Sequence, residues 1–178
     1  MMLTCLRPSL LPVRAGVVAM SVVCSVLLSS SAFAQSSGPM TMTKQTITLD
    51  GANAMTTAAL ARAKELGLAE VIAVYDEAEI LKALVSMDGA RITSVNFALD
   101  KAWTSARRQA ATQDLFDTFS AAPPVMMQSF LKQPRLTLLG GGLPITVNGQ
   151  VIGGIGASGG TIPQDIEVAN AGLAAFHP

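Results

Sequence analysis

Asn148 and Gly149 stand between two apolar runs, 143–147 and 150–155. An Asn-Gly pair tolerates positive φ at both positions, which the tight two-residue turn of a right-twisted hairpin requires. Two strands joined so tightly must be antiparallel, because a parallel pair needs a crossover of about a dozen residues. Pro144 has no amide hydrogen, so its strand belongs at a sheet edge or begins there. A second hairpin is predicted upstream. Residues 71–75 are β-branched and apolar, 76–79 form a polar turn, and 80–87 place Leu81, Ala83, Val85 and Met87 on one face at period two. Asp88 and Gly89 end it.

The helices are read from their caps and their apolar spacing. Residues 45–49 are a short β-like run, and Asp50 is the expected N-cap of the next element. Ala52, Met55, Ala59, Ala63 and Leu66 recur at helical spacing, and Gly67 followed by Leu68 is a stop signal, which predicts a helix over 51–66. Thr93 or Ser94 is the expected cap of a second helix with a stripe of Leu99, Trp103, Ala106 and Ala110. It is predicted to reach about 113 and to continue, broken, through 114–120. Pro123 and Pro124 punctuate before a short helix over 125–131. Gly140 to Gly142 form a turn, and 153–160 read as a glycine-rich loop. Thr161 and Gln164 form a capping box for a last helix, with Asp165 and Glu167 in its first turn and Ile166, Ala169 and Leu173 facing inward. The order predicts an α+β fold, profilin-like or PAS-like: a central antiparallel sheet of about five strands with helices packed on it.

The first 34 residues have the composition of an export signal. Arg7 and Arg14 give a positive start, 15–28 are uncharged and mostly apolar, and Ala32, Phe33 and Ala34 fit a small-residue cleavage site. The expectation is a secretory signal over 1–34, a loosely attached lead-in over 35–44, one domain over 45–178, and a periplasmic or secreted product. Cleavage would leave 144 residues and remove Cys5 and Cys24, the only cysteines. The exported part would then have no disulfide, no zinc-thiolate site and no cysteine nucleophile. Removing Arg7 and Arg14 leaves 10 basic and 12 acidic residues, net −2, which is not the footprint of a nucleic-acid binder. No later apolar segment is long enough to span a membrane.

Several residues invite chemistry. Gly154, Gly156 and Gly159 match G-x-G-x-x-G, but dinucleotide binding also needs a βαβ unit and an acidic residue about 20 positions onward, and neither is present. What survives is a set of backbone amides, in this loop and at the start of the last helix, able to cradle an anion; a tight structural turn is the plainer reading. Lys101, Arg107 and Arg108 are cations on the second long helix, with Arg107 one turn from Trp103, as in a cation–π pair. They suit either a ligand carboxylate or a solvated face. Asp76, Glu77 and Glu79 lack calcium-loop spacing and read as a charged hairpin tip. His177 is the sole histidine, so a multi-histidine metal site is excluded. Met55, Met87, Met126 and Met127 are able to ligate haem iron but more often fill cores. Together these residues suit a ligand-binding module better than an enzyme.

The C-terminal pattern resembles the GlcG/HbpS family, also called the haem-degrading domain family. It comprises Gly141-Gly142-Leu143-Pro144-Ile145, then Val147 to Gly156, Ser158-Gly159-Gly160, Gln164-Asp165 and Ala171-Gly172-Leu173-Ala174. Earlier pieces agree: Gly67-Leu68, Val74-Tyr75-Asp76, Met87-Asp88-Gly89-Ala90 and Lys101 to Ala106. The resemblance covers about 46–176 and implies the same α+β fold. It further implies an exported, homo-oligomeric domain that binds or senses haem, since some members bind haem and one is the haem-responsive partner of a sensor kinase. A related domain is fused to cobalamin adenosyltransferases. The implied partner is a small molecule, with haem the implied cofactor. The alternatives are an enzyme that degrades haem or acts on another small molecule, and a cofactor-free structural oligomer. Many relatives carry a glycine pair where Glu77-Ala78-Glu79 follows Asp76 here. Histidine ligation, reported within the family, has no obvious carrier here, since His177 is terminal. Lys101, Thr104 and Arg107, or a methionine, are therefore the candidate haem contacts.

Overall fold

A computed structural model of the chain describes residue 39 and residues 41–178. The signal read over 1–34 and most of the lead-in lie outside the described residues. From Met42 onward the chain forms a single folding unit. Its order is α1 (Leu49–Glu65), β1 (Val71–Asp76), β2 (Leu81–Ser86), α2 (Ile92–Arg108), α3 (Thr112–Ser120), α4 (Pro124–Leu131), β3 (Gly142–Val147), β4 (Gln150–Ser158) and α5 (Ile162–Ala174).

The sheet is antiparallel with strand order β2-β1-β4-β3. Both predicted hairpins form. Asn148 and Gly149 take φ of 51° and 79°, so both central residues are left-handed as the turn demands. β3, with Pro144, is an edge strand. The sheet has four strands rather than about five. Residues 45–48 join no ladder, because Thr48 is the cap of α1 and its hydroxyl accepts from the Gly51 amide at 3.1 Å. Asp50 lies in the first helical turn instead, where its charge favours the helix dipole. At the other end Gly67, φ 68°, turns the chain, and the Leu68 amide donates to the Ala63 carbonyl at 2.9 Å.

β1 is buried along its whole length. Its side chains alternate: Ile72 and Val74 join a core with α1 and α5, while Val71, Ala73 and Tyr75 face α2. The first core also takes Met55, Ile145, Ile152, Ile155 and Val168. The second is built from Ala98, Ala102 and Ala106.

The segment 153–160, read as a loop, is mostly strand: β4 runs on to Ser158. Its glycines exist for packing. A Cβ on Gly154 would sit 2.3 Å from the Ala102 carbonyl oxygen, and one on Gly156 would sit 2.4 Å from that of Ala98. Backbone thus lies on backbone, which only glycine permits. The same constraint corrects the predicted stripe of α2. Ala106 is buried as expected, and Ala98, Lys101, Ala102 and Ser105 are buried too, while Leu99 and Trp103 are only half-buried on the flanks, because directly over the glycines only the small residues Ala98 and Ala102 fit. The N-cap of α2 is Arg91, which makes no side-chain cap hydrogen bond, rather than Thr93 or Ser94, and the helix ends at the left-handed Gln109, φ 55°, so α3 is a separate helix. No helix among the described residues is long and apolar enough to cross a membrane.

Candidate functional site

Lys101 sits on the inner face of α2 and is 2% exposed. Its ammonium donates to the Ala157 carbonyl at 2.9 Å and to Asp165 Oδ2 at 2.5 Å. Asp165, in the first turn of α5, is also buried. Its other oxygen accepts from the amides of Gly159 at 3.2 Å and Gly160 at 2.9 Å. The anion cradle suggested by the sequence therefore exists, and the chain's own carboxylate occupies it. The capping box holds this turn in place: Gln164 Oε1 accepts from the Thr161 amide at 2.9 Å.

A third charge completes the cluster. Glu70, just before β1, is fully buried, and neither carboxylate oxygen has a hydrogen-bond partner among the described residues. Burial raises its pKa to about 7; the Asp165 carboxylate adds to the rise and Lys101 offsets part of it. A cavity of about 200 Å³ adjoins the pair, lined among others by Arg91, Ser94, Phe97, Lys101, Ser158 and Asp165.

Thr104 is fully buried one turn along α2. Its hydroxyl donates to the Arg135 carbonyl at 3.3 Å and accepts from the Thr137 amide at 3.1 Å, anchoring the segment that leads to β3. Arg107 lies on an exposed face. Its guanidinium stacks 4.9 Å from the Trp103 ring centroid, as expected, and pairs with Glu79. The Trp103 indole donates to the same carboxylate at 3.0 Å. Arg135 also lies over the Trp103 ring, 5.0 Å from its centroid, and donates to the Tyr75 hydroxyl at 2.8 Å. The three residues named from the sequence thus share one helix but enter three environments. Asp76 explains the acidic hairpin tip: its Oδ1 accepts from the Ala78 and Ile80 amides at 3.0 and 2.8 Å, and Lys82 lies 3.3 Å from its other oxygen.

A larger concavity than the one beside Lys101 lies elsewhere. A groove of about 590 Å³ opens between the start of α1 and the segment after α5. Ile47, Ala54, Val147, Ile152, Phe176 and His177 are among its walls. Sequence reasoning missed it because it joins residues from both ends of the domain, and no local pattern marks that meeting. The lone histidine was its one visible signal. Glu70 was missed too, since a single glutamate before a strand reads as a solvated loop residue.

A family model described as "Haem degrading protein HbpS-like" matches residues 47–174. The chain is 35% identical over 131 residues to an uncharacterised 15.0 kDa protein of the dhaT-dhaS intergenic region of Citrobacter freundii, covering 74% of this chain and 92% of that one. Its fold is similar to that of a Streptomyces reticuli HbpS double mutant, with a TM-score of 0.72, 25% identity, and 94% and 100% of the two chains covered. It is also similar to PduOC in complex with haem, with a TM-score of 0.68, 29% identity, and 75% and 100% covered.

Proposed function

The chain belongs to the HbpS-like family, and on that premise we propose that it is an exported haem-binding module of the cell envelope. The observation that carries this reading is the likeness, along the whole domain, to a relative whose structure is a complex with haem. The likeness to HbpS supports it over an even larger share of the chain. The export half rests on the composition of residues 1–34.

Two features of the chain fit a porphyrin. The groove by α1 falls within the range of about 300–1,000 Å³ usual for small-molecule sites, and it is largely apolar with a few polar groups. The chain also offers an imidazole there. Bound haem would supply redox-active iron, and the groove residues would bury its ring edge and exclude water from one face. Haemin titration of protein purified from cells expressing the full chain tests the proposal. A saturable Soret shift at micromolar haemin is expected; its absence overturns the binding reading. Fractionation with N-terminal sequencing tests export: the expected product begins at Gln35 in the envelope fraction, and an uncleaved cytoplasmic chain overturns it.

A further inference from the structure

We propose that His177 is the iron ligand, with haem seated in the groove between the start of α1 and the segment after α5. The inference rests on the haem-binding reading above and places that ligand on particular residues. Proteins hold haem iron with histidine, cysteine, methionine or tyrosine side chains. Both cysteines lie in residues 1–34, and His177 is the only histidine of the chain. Tyr75, the only tyrosine, is 6% exposed and its hydroxyl is engaged by Arg135. Met55 is fully buried in the aliphatic core. Met87 packs beside that core, and Glu70 donates its amide to the sulfur at 3.4 Å. Met126 and Met127 belong to α4, away from the groove.

Met42 is exposed but is not among the groove's walls, so among the described residues His177 is the one that joins such a donor to a cavity of sufficient size. The imidazole is exposed rather than spent inside the fold. It stands at the wall of a groove whose other walls include Ile47, Ala54, Val147, Ile152 and Phe176. The Lys101 cavity makes a contrast: at about 200 Å³ and with a buried ion pair in its wall, it falls below the usual range for a ligand as large as a porphyrin.

Absorption and electron paramagnetic resonance spectra of the haemin-loaded protein test the assignment. His177→Ala is expected to weaken haemin binding about ten- to a hundredfold and to change the spin state of the iron. Added imidazole is expected to restore the original spectrum. Ala54→Trp, an exposed change on α1, fills the groove from the α1 side and is expected to weaken binding about tenfold. If the parent protein binds haemin and both variants match it in affinity and spectrum, the groove assignment is overturned while the haem-binding reading stands. Loss of binding in Arg107→Ala with none in His177→Ala would overturn it as well and move the site to the Trp103 face. If the parent protein binds no haemin, both readings fall together.

Discussion

Toward α1 and α5 the sheet presents Ile72, Val74, Ile145, Ile152 and Ile155; toward α2 it presents Ala73, Gly154 and Gly156. The first face closes by interlocking branched side chains, the second by laying helix backbone directly on strand backbone. Neighbouring residues of β4 serve both, since Ile155 fills one core while Gly154 and Gly156 clear the way for the other. An aliphatic core loses dispersion contacts in proportion to what is removed, and it relaxes in part. A backbone-on-backbone contact has no side chain to swing aside, so adding a single carbon is worse than removing one from the opposite face. Where this tight face ends, the Lys101–Asp165 pair links α2 to α5 and so joins the two layers.

The severest test of this contrast is at the link. Lys101→Ala strands Asp165 and Glu70 as buried acids and is expected to destabilise the fold by about 3–5 kcal/mol, measured by urea unfolding. Next comes Gly156→Ala, whose new carbon meets the Ala98 oxygen and the Ala102 nitrogen at 2.4 and 2.5 Å. A loss of about 3 kcal/mol is expected, and a neutral result would mean that α2 lifts off the sheet freely. Glu70 gives a third test through pH. Its folded pKa of about 7 lies above the ordinary 4.5, so the folded state binds the proton more tightly. Stability from this group is full below about 4.5, falls as the pH rises toward about 7, and then levels off. The loss across that window is of the order of 2 kcal/mol, and Glu70→Gln is expected to flatten it. The smallest effect belongs to the aliphatic face: Ile155→Val should cost only about 1 kcal/mol. A larger loss there than at Gly156 would reverse the comparison.

What the sequence disclosed was local. The Asn148–Gly149 turn, the Gly67 stop, the Thr161–Gln164 box and the edge position of Pro144 each depend on a few adjacent residues, and each is found in the fold. What it concealed was set by partners far along the chain. Residues 153–158 looked like a loop because glycine disfavours strands; the missing information was a helix about 50 positions earlier that needs the space. Asp165 looked like a dipole-facing acid at the start of a helix, yet it turns inward to a lysine 64 residues away. Lys101 was named as a candidate contact without any sign of its burial. Residues 45–48 carried strand-forming side chains, but the cap at Thr48 took them out of the ladder.

The edge position of Pro144 has a consequence for growth of the sheet. Along β3 the row of donors is interrupted by a residue with no amide hydrogen, so an incoming strand meets a gap there. The opposite border, β2, has no such interruption, and Leu81 and Leu84 stand partly exposed on it. Strand addition is therefore one-sided. Two copies joined through β2 would consume both receptive borders at once, and the assembly would end as a closed pair instead of running on as a fibre.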